Sequence, residues 1–180
     1  INKKGNLFNN KKKFTLNAST KDLKKELQAQ IDLAKSIGIK PTHIDSHEGA
    51  LFFDQNIFKT YLEVGEENQL PVFVPSDVAV HFDKSFPKPE NVVIVENFHM
   101  ALPSLEFKDW NNYYINIIEN LKPGLSEIIV HLGYDDKEMQ QITVEHPNYG
   151  SKWRNLDMEV VSSENFKQAL KDNNIKLVTW

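Results

Sequence analysis

Along most of this chain, stretches with apolar residues at three- and four-residue steps alternate with short, nearly continuous apolar runs, and few folds accommodate that alternation. Leu23, Leu27, Ile31, Ala34 and Ile37 recur at helical spacing. Ser19 or Thr20 can cap that helix, with Asp22 three residues after Ser19, and Gly38 can stop it. Pro41 biases Lys40 toward extended geometry and leads into a first strand at 42–47. Further helices centre on Ile57, Phe58, Tyr61, Leu62 and Val64, on Trp110, Tyr113, Tyr114, Ile117 and Ile118, and on Phe166, Ala169 and Leu170. Strands at 70–74, 91–96, 126–131 and 175–179 bring the expected number to five. Between these elements, 1–19 reads as a polar connecting segment, 75–90 as a Pro-containing connection and 143–155 as irregular chain. A short helix or turn opens at 135–138, and Ser162 or Ser163 caps the last helix.

Strands that are apolar throughout are buried on both faces, which is what a parallel sheet covered by helices requires. The expected fold is α/β, a parallel β/α-barrel-like fold forming a single domain over 1–180. A full β/α barrel takes about 250 residues. At 180 residues the expectation is therefore an incomplete barrel with its N-terminal strands missing. The chain opens on Ile1 with no signal-like segment, so upstream sequence is expected.

Composition removes several function classes. A net charge of -4 gives no global reason to expect nucleic acid. No apolar run approaches the roughly 18–20 residues that span a bilayer, so no membrane role is expected. The chain has no cysteine, which excludes disulfides, thiolate metal sites and a Cys nucleophile. Cysteine-free chains occur in the cytoplasm and among secreted proteins alike, so compartment stays open.

The chemistry gathers at strand ends. Alternation along 42–47 puts His43, Asp45 and His47 on one face. In parallel β/α folds, functional groups collect at the carboxyl ends of strands, where Asp45 and His47 lie at one end and His131 at another. Neutral imidazoles and carboxylates suit zinc and similar divalent ions, and catalytic zinc sites typically have three protein ligands. Two histidines are part of such a set. Each member also has a plainer role: hydrogen-bonded structural histidines, Asp45 as a turn cap, Gly133 as a strand stop. His43 lies deeper in its strand, and His81, His99 and His146 read as structural or solvent-facing. There is no Gly-rich phosphate loop, no Gly-x-Ser-x-Gly elbow and no His-Glu-x-x-His. Arg154 and Asp157, with Trp153 and Tyr149, form a polar-aromatic cluster that either holds a sugar or pins a loop.

These residues carry a resemblance. Pro41-Thr42-His43-Ile44-Asp45-Ser46-His47, followed by Gly49-Ala50-Leu51-Phe52, resembles the second motif of the YdjC-like (ChbG-type) carbohydrate deacetylases. Pro123-Gly124-Leu125-Ser126-Glu127-Ile128-Ile129-Val130-His131-Leu132-Gly133-Tyr134 is similar to that family's His-Pro-Gly segment. Trp153-Arg154-Asn155-Leu156-Asp157 and the chain beyond Ser162 are similar to its closing helix and strand. The resemblance implies a metal-dependent hydrolase that removes acetyl groups from N-acetylated sugars or oligosaccharides, with a divalent ion (zinc or magnesium) as cofactor. It places metal ligands at His47 and His131. Asp45 becomes a supporting, substrate-adjacent carboxylate and the one catalytic candidate named on this chain, and Arg154, Trp153 and Tyr134 become substrate contacts.

In the family, an N-terminal Asp-Asp pair supplies the third ligand and the general base. No such pair at a strand end precedes residue 20, so the chain alone is expected to be inactive. Gly49 stands where many members carry histidine, and Leu132 replaces the usual proline. The expected partner is an acetylated saccharide, with a homodimer as the one protein assembly considered. Two other readings stay open: a non-catalytic carbohydrate-binding barrel, and another metal-dependent phosphoesterase or amidohydrolase.

Overall fold

The computed structural model describes residues 8, 10–81, 92–146 and 148–180, with the side chains of Val80 and His81 left aside. Most of the connection expected at 75–90, including Pro87 and Pro89, lies outside the described residues, as do residues 1–7 of the polar N-terminal segment. The chain divides into two compact units, one running to Val95 and including Trp180, the other covering Glu96–Thr179. Its helices and strands form a mixed α/β structure in which every strand pairing is parallel among the described residues.

The first unit contains α1 (Lys11–Asn17), α2 (Thr20–Ser36), α3 (Gln55–Glu67), β1 (Val72–Pro75), α4 (Ser76–His81) and β2 (Val92–Val95). Asn10 caps α1 by accepting from Lys13 N at 3.1 Å, so the connecting segment is helical where a loop is expected. Its one large apolar side chain facing inward, Phe14, packs on the first core. Ser19 caps α2 through Asp22 N at 3.2 Å, as expected, and Gly38 ends the turn after it at φ 88°. Leu23 and Ile31 are buried on α2, whereas Ile37, at its C-cap, is 67% exposed. Beneath α2 and α3 lies a core of Leu23, Leu51, Ile57, Phe58, Tyr61, Leu62, Val72 and Val74. β1 pairs with β2 in register Val72↔Val92 through Pro75↔Val95.

The strand expected at 42–47 is reduced to a single parallel bridge, Ile44↔Val72. Pro41 has no N–H to give, and Asp45 and Ser46 turn their polar groups to local bonds, so the ladder cannot grow past Ile44.

The second unit contains β3 (Asn97–Met100), α5 (Trp110–Asn120), β4 (Ser126–Ile129), α6 (Lys137–Ile142), α7 (Ser151–Ser162) and α8 (Glu164–Asp172). β3 and β4 pair from Asn97↔Ser126 to Met100↔Ile129. The sequence reading ends its third strand at Glu96; the chain instead bends there and begins β3. The last strand expected, 175–179, joins no ladder among the described residues: Ile175 packs on the second core, while Leu177 and Val178 are 76% and 64% exposed. Trp110, Tyr114, Ile117, Ile118, Trp153, Val160 and Phe166 form that core. Residues 151–155, expected to be irregular, belong to α7.

The turn into β4 depends on Gly124, at φ 133°. A Cβ there would run into Glu96 Oε2, the atom that accepts from Leu125 N at 3.0 Å. Among the described residues, no helix is long and apolar enough to cross a membrane.

Candidate active site

In the first unit, the backbone just before His47 is held from three sides. Ile44 N donates to Pro71 O at 2.9 Å, and Phe73 N donates to Ile44 O at 3.1 Å. The Tyr61 hydroxyl, buried beneath, bridges Ile44 O at 2.9 Å and Phe73 O at 3.1 Å. Burial pushes this phenol far above its ordinary value, and the charge of Asp45 adds to the effect, so Tyr61 stays a donor. Asp45 Oδ1 accepts from Ser46 N at 2.5 Å. Ser46 is itself buried; its Oγ accepts from Leu51 N at 2.9 Å and its carbonyl from Gly49 N at 2.7 Å.

That knot sets His47 at the head of a tight helical stretch, His47–Phe52, with its side chain exposed. Glu48 and Gly49 both sit in the left-handed region, at φ 53° and 65°. Gly49 suits that conformation; Glu48 carries strain there. Lys11 Nζ donates to the Glu48 carbonyl at 2.9 Å.

The expected shared face survives in part. His43 and Asp45 line one cleft of about 210 Å³ with Leu27, Ile31 and Tyr61, while His47 lies outside its lining. His43 also stacks on Trp180, ring centroids 4.4 Å apart and 16° from parallel.

In the second unit, the β4 ladder ends at Ile129 and His131 follows two residues later, half-buried. Asp157, fully buried on α7, accepts from His131 N through Oδ2 at 2.8 Å. Its Oδ1 accepts from Trp110 Nε1 at 2.8 Å and from the Tyr114 hydroxyl at 2.6 Å. Burial raises the Tyr114 phenol, and its bond to the Asp157 carboxylate raises it further, which keeps the proton on oxygen. The Tyr149 ring lies 5.0 Å from the His131 ring and 4.5 Å from that of Trp153. Tyr149 is left-handed at φ 62°, and Arg154 Nε donates to its carbonyl at 2.8 Å.

Gly133 has a packing reason beyond ending a strand: a Cβ there would come within 3.0 Å of Met139 Cε and 3.3 Å of Arg154 Cβ. Of the expected sugar contacts, Tyr134 is 68% exposed, Arg154 is half-buried, and Trp153 is 2% exposed beneath Tyr149. His99 lies in β3 and is held below the ordinary histidine range by burial. His146 is exposed.

Sequence reasoning reached His47, His131, Asp45 and the Trp153–Asp157 cluster. It missed the buried partners, Ser46, Tyr61, Trp110 and Tyr114. The signal for Asp157 was present: it stands four residues after Trp153, on the same helical stripe.

The donor chemistry of two imidazoles and a carboxylate suits a divalent ion. Among the described residues, no three His, Asp or Glu side chains gather as a metal-holding group. By donor type alone, the imidazoles and the carboxylate are groups that such an ion takes.

The family model described as YdjC-like protein matches residues 1–172. The chain belongs to the YdjC-like family. Similar curated proteins are a carbohydrate deacetylase of Thermoanaerobacter pseudethanolicus, 26% identical over 163 residues, and one of Clostridium beijerinckii, 24% identical over 170. The alignments take in 91% and 93% of this chain but 60% and 64% of those proteins, so this YdjC-like chain spans about three fifths of their length. A crystal structure from Enterococcus faecalis, whose name proposes cellobiose-phosphate cleavage, aligns with TM-score 0.74 at 18% identity. It covers 99% of this chain and 66% of its own. That likeness concerns the fold.

Proposed function

We propose that this YdjC-like chain is part of a metal-dependent deacetylase that hydrolyses the N-acetyl groups of sugars or oligosaccharides. The observation that carries the reading is that both motif histidines stand just past the carboxyl ends of parallel pairings. His47 follows the Ile44 bridge by three residues, and His131 follows the last β4 pair by two. The relatives named carbohydrate deacetylase support it from the side of sequence. We further take residues 1–180 as part of one β/α-barrel-like domain, a reading supported by the likeness in fold at TM-score 0.74.

His47 and His131 would hold the ion through neutral imidazole nitrogens. Bound there, a divalent ion would supply Lewis acidity and lower the pKa of a coordinated water from about 15.7 toward 7. Asp45, exposed and lining the cleft with His43, would serve as a carboxylate that accepts or holds a proton. Tyr134 offers an exposed ring for a sugar face, Arg154 donors for hydroxyls, and Trp153 backs Tyr149 from below.

In the whole protein, about one divalent ion per chain is expected, and the His47→Ala/His131→Ala double variant should lose it. Equal metal content in the two would overturn the ligand assignment. Acetate release from N-acetylated chitooligosaccharides separates this reaction from phosphoester hydrolysis, which would release phosphate instead.

A further inference from the structure

We infer that Asp157 is a positioning residue, fixing the strand end that carries His131 by gripping its main-chain N–H; the functional half of this inference rests on His131 being a metal ligand. Three observations lead there. The β4 ladder closes at Met100↔Ile129, so His131 lies beyond the reach of the sheet's own pairing. The acceptor that takes over is a carboxylate from α7, with Oδ2 at 2.8 Å from His131 N. That carboxylate is fully buried and is itself held by Trp110 Nε1 and the Tyr114 hydroxyl on its other oxygen.

A buried carboxylate is costly unless each oxygen is satisfied, and a sheet end can be capped by any backbone or water acceptor. Here the expensive group is used, and it spends one oxygen on the main chain of the candidate ligand. Trp110 and Tyr114, both on α5, lock the carboxylate from the opposite side. The position of His131 is thereby tied to two packed helices, and a metal ligand needs that kind of outer support to hold its angle. Tyr149, itself clamped by Arg154, borders the ring.

The first test needs no variant. In hydrogen–deuterium exchange followed by NMR, the His131 amide should be protected at least about a hundredfold over an open chain, although it lies outside the ladder. Exchange at the open-chain rate would overturn the anchoring. The second test is the triple variant Trp110→Phe/Tyr114→Phe/Asp157→Leu. It removes the two side-chain donors together with their acceptor, so that the backbone N–H groups of His131 and of Ala101, which donates to the Tyr114 hydroxyl, are the groups that lose a partner. The His131 amide should then exchange at least about tenfold faster relative to the β4 amides; an unchanged ratio overturns the proposal.

Zinc binding by the whole protein tests the consequence. The triple variant should bind zinc about tenfold more weakly, as expected when outer support is lost, and His131→Ala should bind far more weakly still. Wild-type zinc affinity in the triple variant beside a loss in His131→Ala would overturn the positioning role. Wild-type affinity in His131→Ala would overturn the ligand assignment instead, and the exchange measurements would still decide whether Asp157 anchors the strand end.

Discussion

Replacing Tyr114 with phenylalanine removes one of the three donors that hold the buried Asp157 carboxylate and changes little else in shape. The lost bond is 2.6 Å long, between a fully buried phenol and a fully buried carboxylate. Hydrogen bonds to charged groups contribute about 1.5–3 kcal/mol each. Asp157 Oδ1 keeps Trp110 Nε1 at 2.8 Å and Oδ2 keeps His131 N, so the carboxylate is weakened but not stranded. The expected loss is therefore about 1.5–3 kcal/mol, a fall in Tm of about 3–12 °C for a chain of this size. Asp157→Ala is the contrasting case. It leaves two buried donors and the partly buried His131 N–H without an acceptor, at about 1–3 kcal/mol for each buried one, a large share of the stability of an ordinary domain. Urea unfolding followed by tryptophan fluorescence in a Trp180→Phe background reads the second unit, because Trp110 and Trp153 sit in its core, ring centroids 4.7 Å apart, while Trp180 belongs to the first. A Tyr114→Phe loss below about 0.5 kcal/mol, or one equal to that of Asp157→Ala, would refute the idea that this network carries its weight bond by bond.

Other consequences follow from the same geometry. Tyr61 and Tyr114 are both raised above the ordinary tyrosine value, so their contribution is complete below about pH 10 and is lost as pH climbs beyond it, the unfolded phenols ionising first. A stability curve that stays flat from pH 9.5 to 11.5 would contradict that sign. Gly124→Ala forces a Cβ into the Glu96 carboxylate at a φ that side chains avoid, and should cost about 1–3 kcal/mol in chemical denaturation. Ser46→Ala strands Leu51 N in the turn behind His47 and should cost about 1–3 kcal/mol, measured against a Ser46→Thr control that keeps the hydroxyl.

What could be read from the sequence was whatever depends on local pattern. Helix α2 and its Ser19 cap, the Gly38 stop, α3, α5 and the Ser163 cap of α8 all rest on spacing and end chemistry, and the structure has them there. Parallel pairing was also legible, because runs such as Val92–Val95 are too apolar to face water. The strands at 42–47 and 175–179 were not, since a strand needs a neighbour and apolar content cannot reveal whether one is in reach. Ile44 found one bridge and 175–179 found none among the described residues. β3 escaped because Asn97 and His99 dilute its pattern, although its backbone pairs residue for residue with β4.

The failure at α7 bears on the site itself. Its buried residues, Trp153, Asp157 and Val160, are spaced as one helical face, but the middle one is a carboxylate, and a polar residue inside an apolar stripe breaks the pattern by which helices are recognised. Gly150 at the N-cap supplies no side-chain bond to mark the start. The first residues of α7 therefore read as irregular chain, and Asp157 with Arg154 as a cluster that either holds a sugar or pins a loop. In the folded chain Arg154 turns to the Tyr149 carbonyl, and Asp157 turns inward to Trp110, Tyr114 and His131. The residue that spoiled the helix signal is the one that ties α5 and α7 to the end of β4. Local patterning misreads a sequence where a buried polar group has been placed against the pattern, and such positions concentrate at functional sites. A disruption of that kind four residues from Trp153 was itself information about where His131 would be held.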